Sequence, residues 1–272
     1  MTDLRRDAPQ VVLMGLPTDV NSSHTRGCSA APEHIRRALW SGASNLTSES
    51  GVDLGVPGAW RDAGDLPLRE DAEDRARIEE AIRELARSGA RVLAFGGDHS
   101  VTYPILKGLA AESKAFSVLH FDAHPDLYDE FEGNRYSHAC PFARIMEEGL
   151  ARRLVQVGIR TLNTHQAEQA KRFKVEIVAM ADFEPTRVPI PDGPLYITFD
   201  LDGLDPAFAP GVAHREPGGL TFREILSVLR RVEGPVIGAD IVELLPSLDP
   251  SGLTATVAAK LAKELAALML RG

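Results

Sequence analysis

The sequence predicts an α/β protein built on an open, doubly wound parallel sheet of about eight strands with helices on both faces. Two patterns carry this. Short apolar runs alternate along the chain with segments of helical spacing, as successive β–α units do. Each run is apolar almost without a break, which suits a strand buried on both faces rather than one face wet. Long irregular loops and uneven spacing of the units favour an open sheet over a closed barrel.

Taken in order, Val11–Leu16 is the first buried strand, closed by Pro17. A loop rich in Gly, Ser, Asn and Thr (18–31) leads to a helix that Pro32 opens and that runs through Trp40. Residues 41–69 are rich in Gly, Ser, Asp and Pro and predict a surface elaboration with one strand at 52–56. Asp74–Arg87 places Ile78, Ala81, Ile82 and Leu85 at helical spacing, and Gly89 ends it. A strand at 91–95 runs into Gly96-Gly97-Asp98-His99-Ser100, followed by a helix over 101–111. A strand at 116–121 enters Asp122-Ala123-His124-Pro125-Asp126, and an acidic loop (129–135) precedes a helix expected over 138–149. Strands at Arg153–Ile159 and 175–180 flank a helix at 165–173. The strand 195–199 enters Asp200-Leu201-Asp202; a Pro/Gly-rich loop and a helix over 221–231 follow. Val236–Val242 delivers Glu243, and the final helix spans 253–270.

Composition narrows the function classes. At 272 residues, 44% hydrophobic and 25% charged, the chain can bury a core without disulfide or metal staples. A formal charge of −9 argues against non-specific binding to nucleic acid or to an anionic membrane. The two cysteines, Cys28 and Cys140, make neither a disulfide framework nor a Cys-x-x-Cys metal site, and reduced thiols are expected. No stretch approaches the roughly 20 apolar residues that cross a bilayer, and no signal-peptide pattern opens the chain, so a cytoplasmic location is expected.

Four polar motifs begin where an apolar strand stops: Gly96 to Ser100, Asp122 to Asp126, Asp200 to Asp202, and Glu243. Ligands of open α/β sheets bind at the carboxyl ends of the strands, so the four are expected to converge on one crevice. In an extended segment Asp122, His124 and Asp126 share one face. Carboxylate and imidazole donors without a thiolate suit a hard to borderline divalent ion such as Mn²⁺. The convergent set holds His99, His124, Asp122, Asp126, Asp200 and Asp202, too many ligands for one tetrahedral zinc. With Asp122 and Asp200 bridging, they serve two ions roughly 3.5–4 Å apart that can share a water and activate it as hydroxide. Gly96 and Gly97 are expected to let the backbone turn tightly. Asp98 reads as orienting the loop or an imidazole, and Asp205, before Pro206, as a turn residue.

Gly-Gly-Asp-His-Ser (96–100), Asp-Ala-His-Pro-Asp (122–126) and Phe-Asp-Leu-Asp-Gly-Leu-Asp-Pro-Ala-Phe-Ala-Pro-Gly (199–211) together resemble the signatures of the ureohydrolases, the arginase and agmatinase family of dinuclear manganese enzymes. The resemblance spans nearly the whole chain and implies a single three-layer α/β/α domain over 1–272 with a mostly parallel eight-stranded sheet. It implies two Mn²⁺ per subunit, one held by His99, Asp122, Asp126 and Asp200, the other by Asp122, His124, Asp200 and Asp202. It also implies that Glu243 receives the guanidinium of a small cationic substrate, that Asp126 relays the hydroxide proton, and that His138 shuttles a proton near the leaving amine. A homo-oligomer, trimeric or hexameric, is expected on the same ground.

The implied reaction is hydrolysis of a guanidino C–N bond to urea and an amine, with agmatine (to putrescine) and arginine (to ornithine) the leading substrates. The 121–145 segment looks like that of plant arginases. Arg215 is a candidate for holding a substrate carboxylate, and Asp129, Glu130 and Glu132 for holding an amine. Other guanidino or formimino compounds remain open. A one-zinc deacetylase of related fold would lack His99 and the Asp200/Asp202 pair. A non-catalytic binding protein would usually have lost a ligand, and none is lost here.

Overall fold

The computed structural model describes residues 11–112 and 115–271. Its elements are β1 (Val11–Leu16), α1 (Ala31–Leu39), β2 (Trp60–Asp65), α2 (Asp74–Arg87), β3 (Arg91–Gly96), α3 (Thr102–Glu112), β4 (Ser117–Phe121) and α4 (Pro141–Glu147). After them come β5 (Arg153–Ile159), α5 (Thr164–Phe173), β6 (Glu176–Ala179), β7 (Leu195–Asp200), α6 (Phe222–Leu229), β8 (Val236–Val242) and α7 (Leu253–Met269). Among the described residues the eight strands form one sheet in the order β2-β1-β3-β8-β7-β4-β5-β6, with every pairing parallel.

Alternation along the strands splits the core into two layers. Leu93, Phe95, Leu119, Phe121, Ile197, Phe199, Ala239 and Ile241 pack on one side with apolar residues of α1, α6 and α7. Val92, Ala94, Val118, Leu154 and Tyr196 pack on the other with residues of α2, α3 and α4. This is the doubly wound arrangement that continuous apolar strands require. Local signals set the helix starts. Asn163 accepts the Gln166 N–H at the head of α5, and Thr221 and Glu224 form a reciprocal capping box on α6.

Three expectations need correcting. The strand expected at 52–56 is absent; Asp53 makes only an isolated antiparallel bridge with Thr47, while Val52 and Leu54 are buried as anchors of the loop. The strand of that region is β2, sequence Trp-Arg-Asp-Ala-Gly-Asp, at the sheet edge beside β1. Its polar residues face solvent, so it lacks the apolar run of a buried strand. The helix expected from 138 begins at Pro141, leaving His138 in the preceding loop.

The third concerns the glycine pair after β3. Neither Gly96 nor Gly97 adopts a positive φ. Both are required by close approach: a Cβ on Gly97 would lie 1.9 Å from the Thr18 carbonyl oxygen, and one on Gly96 2.7 Å from Val242 Cγ1. The Asp98 N–H donates to that same Thr18 oxygen at 3.1 Å, and the Gly97 carbonyl accepts the Glu243 N–H at 2.8 Å. The chain after β3 is thus pressed between the β1 loop and the end of β8. Gly97→Ala must move backbone rather than a side-chain tip, and is expected to cost about 1–3 kcal/mol. For a chain of this size that is a fall of about 2–4 °C in Tm per kcal/mol, read by calorimetry, with catalytic loss beyond the stability change.

Candidate metal centre

The strands that carry the four polar motifs are consecutive neighbours in the sheet: β3, β8, β7 and β4. Their carboxyl ends bring all six expected ligands together. His99 Nδ1 lies 3.2 Å from Asp122 Oδ2, 3.1 Å from Asp126 Oδ2 and 3.3 Å from Asp200 Oδ2. His124 Nδ1 lies 3.0 Å from Asp202 Oδ2 and 3.4 Å from Asp122 Oδ1. Asp122 therefore turns one oxygen toward each imidazole. Asp200 Oδ2 faces His99, while its Oδ1 accepts the Asp202 N–H at 2.8 Å. Asp126 and Glu243 hold φ of 50° and 67°, a left-handed conformation that costs about 1–2 kcal/mol for a residue with a Cβ.

The donor chemistry fits a metal ion. His99 Nδ1 is fully buried and has no hydrogen-bond partner. Its other nitrogen meets Thr198 Oγ1 at 3.0 Å, and the Thr198 hydroxyl donates to Asp240 Oδ1 at 2.6 Å. With that hydroxyl proton committed to Asp240, Thr198 accepts from His99 Nε2–H. In the neutral ring a bare Nδ1 lone pair is left facing three carboxylate oxygens, an arrangement that fits a metal ion. Without one, burial would lower the imidazole, but Asp122, Asp126 and Asp200 outweigh it and favour a proton there, raising the imidazole well above its usual range.

Charge crowding points the same way. Burial, then the neighbouring carboxylates Asp202 and Asp122, pushes Asp200 well above the usual carboxylate range. Burial, opposed by His124 and reinforced by Asp122, lifts Asp202 to about 6. Burial works to lower the His124 imidazole, yet Asp202 and Asp122 pull it up to about 12. The site holds more negative charge than its own side chains neutralise.

Behind the ligands runs a polar row that the sequence reading missed. Gln156, His120, Thr198 and Asp240 sit side by side across β5, β4, β7 and β8, all fully buried. Gln156 Nε2 lies 2.6 Å from the Pro125 carbonyl and 3.0 Å from His120 Nδ1, so it donates to both. His120 Nε2 must then carry the proton and donate to Asp122 Oδ2 at 2.8 Å. His120 is accordingly a support for Asp122 and not a free donor, although it lies within ligand distance of His99 and Asp122. Asp240 also accepts from Thr102 Oγ1 and Tyr196 OH, each at 2.8 Å. A signal existed: His120 and Thr198 each stand two residues before a ligand, on the same strand face, inside otherwise apolar runs.

Glu243 and His138 meet beside this cluster. Glu243 Oε1 accepts the His99 N–H and lies against His138 Nδ1, both at 2.8 Å, and Cys28 Sγ is 3.6 Å from Oε2. Burial alone would lower the His138 imidazole; Glu243 raises it to about 9. Asp98 orients the loop rather than an imidazole, accepting from the Asn21 and Ser100 N–H groups at 3.0 Å each. Asp205 serves a turn, accepting from the Ala207 and Gly218 N–H groups.

The cluster forms the floor of a pocket of about 220 Å³ whose walls include Ser23, Tyr128, Phe131, His138, Gln166, His214 and Glu216. None of the four loop charges considered for substrate binding, Arg215, Asp129, Glu130 and Glu132, lines it. Arg215 donates to the Pro210 carbonyl at 2.7 Å, and Asp129 is held by Arg144 and Arg135. Glu216, Asp126, Asp200, Asp202 and Glu243 do line it, and among the described residues no Arg or Lys does.

Comparison with known proteins agrees with this geometry. Over 272 aligned residues, covering 94% of this chain and 80% of the relative, the sequence is 46% identical to "Arginase 1, mitochondrial" of Arabidopsis thaliana. It is 35% identical to "Guanidino acid hydrolase, mitochondrial" of Homo sapiens over 93% of this chain and 76% of that protein. The solved arginase from Medicago truncatula superposes with a TM-score of 0.91 at 42% identity, covering 96% of this chain and 88% of that one. Residues 9–268 match the sequence profile described as "Arginase family", and with the strand-end ligands on one sheet edge, the chain belongs to the arginase family.

Proposed function

We propose that this protein is a Mn²⁺-dependent ureohydrolase that cleaves the guanidino group of arginine to urea and ornithine. The observation that carries the reading is Asp122, which turns one oxygen toward His99 and the other toward His124, beside a pocket lined by His124, Asp126, Asp200, Asp202 and Glu243. The proposed sites are His99, Asp122, Asp126 and Asp200 for one ion, and Asp122, His124, Asp200 and Asp202 for the other. Ions bound there supply Lewis acidity that brings a shared water toward ionisation at neutral pH.

The remaining roles belong to the chain itself. Glu243, held below the usual carboxylate range by His138 despite its burial, stays charged and receives the guanidinium. Asp126 takes up the proton of the attacking water, and His138 is the proton source for the departing amine. The acidic pocket suits a cationic substrate. Arginine stands before agmatine because of the likeness to plant arginases, and other guanidino acids form the second reading because of the likeness to the guanidino acid hydrolase.

The deciding experiment is urea release with Mn²⁺ across arginine, agmatine, guanidinobutyrate, guanidinopropionate and formiminoglutamate, with formamide scored for the last. Arginine is expected to give the highest kcat/KM by at least about tenfold, a difference of about 1.4 kcal/mol. Equal, slow rates on every compound would overturn the reading. Asp122→Ala is expected to abolish turnover and to bind less than one metal ion per chain by elemental analysis. Thr198→Val removes the acceptor that fixes the His99 tautomer, and metal affinity should fall about 10–100-fold in a chelator competition, with the fold intact.

A further inference from the structure

His138 has no nitrogen free for a substrate. Nδ1 lies 2.8 Å from Glu243 Oε1, while Nε2 meets both the backbone N–H of Ser23, at 3.2 Å, and the Ser23 hydroxyl, at 2.8 Å. The His138 ring lines the pocket, but with both nitrogens engaged it can pass a proton only through one of its partners. Glu243 is a carboxylate reserved for the guanidinium, whereas Ser23 Oγ carries a transferable proton and lines the pocket wall beside Asp126 and His138. We propose that Ser23 is the residue through which His138 delivers its proton to the departing amine; this rests on the ureohydrolase reading above.

The step balances as a two-proton relay. As the C–N bond breaks, its electron pair stays on the amine nitrogen and takes the proton from Ser23 Oγ. Ser23 Oγ takes the Nε2 proton of the His138 imidazolium, leaving neutral imidazole that keeps its Nδ1 proton and donates it to Glu243 Oε1. After the amine leaves, Nε2 regains a proton from solvent as Asp126 gives up the proton of the attacking water, so the site returns to its starting charge. The two hydrogen bonds from Ser23 suit the end of this relay, because neutral Nε2 then accepts both the N–H and the O–H. The raised His138 imidazole suits its start.

Held positions on either side explain why Ser23 stays in place. Asn21 takes the His138 N–H on its carbonyl at 3.1 Å, and its side-chain oxygen accepts the Asn134 amide at 3.1 Å. Asp98 accepts the Asn21 N–H, so the 21–23 segment is tied at one end to the loop after β3 and at the other to the His138 loop.

The test uses the Mn²⁺-loaded enzyme with the best substrate of the panel. General acid–base groups are worth about 10²–10⁴-fold, and a water in place of the hydroxyl restores part of that, so Ser23→Ala should lower kcat about 10–100-fold with KM little changed. Ser23→Thr keeps a hydroxyl and should recover most of the loss. In a His138→Ala background, adding Ser23→Ala should have almost no further effect, because the two act in series. Metal content and circular dichroism of each variant separate a relay defect from misfolding. The relay is overturned if Ser23→Ala keeps its kcat within about twofold, if Thr is as poor as Ala, or if the two losses add. A wild-type enzyme that releases urea from none of the panel overturns the ureohydrolase reading instead, and the relay with it.

Discussion

Everything at the strand ends is arranged around one electrostatic constraint, the gathering of Asp122, Asp126, Asp200 and Asp202 within reach of His99 and His124 in the protein interior. Carboxylates removed from water repel one another and resist ionisation, and two imidazoles do not offset four of them. The surroundings supply what compensation they can. Asp122 receives the His124 N–H at 2.6 Å and the His120 ring, Asp200 receives the Asp202 N–H, and Asp202 receives the Ala123 N–H at 3.1 Å. The uncommitted Nδ1 of His99 marks where this compensation stops and an external cation fits.

The polar row beneath the ligands shows what that concentration of charge demands of a core. Gln156, His120, Thr198 and Asp240 occupy positions that apolar side chains fill elsewhere on the same strands. Each makes at least one hydrogen bond, with Gln156 Oε1 the atom of the row left without a partner. Their bonds run toward the ligands: Gln156 to His120 to Asp122, and His99 to Thr198 to Asp240. The tautomer of His120 is therefore set by Gln156 on the adjacent strand, and that of His99 by Thr198 on β7. A second array, Glu243 to His138 to Ser23, stands at the pocket wall and ties the last strand to the loop after the first.

The parts legible in the sequence were those with a local pattern. Buried strands announced themselves as apolar runs, and the ligand segments as polar residues placed where those runs stop. β2 escaped because an edge strand with solvent on its polar residues carries no apolar run. The alternation at 52–56 misled because Val52 and Leu54 are buried by a loop that folds against the core without a strand partner. Ser23 escaped for another reason. A serine in a polar loop has no distinguishing neighbourhood in the sequence, and its partner His138 stands 115 residues away.

By itself the sequence determined the alternation of strands and helices, the six His and Asp side chains that meet at the strand ends, and the acidic, thiolate-free character of the site. Those properties follow from side-chain chemistry and short periodicities, which one chain displays in full. Only the tertiary structure decided that β3, β8, β7 and β4 are neighbours, that Asp122 faces both imidazoles, and that Arg215 turns to the Pro210 carbonyl instead of the pocket. Strand order and side-chain direction depend on which surfaces pack together across long separations, so no local pattern records them. The glycine pair after β3 has both aspects. Its presence was visible, but the close approach of the Thr18 carbonyl that requires it exists only once the chain is folded.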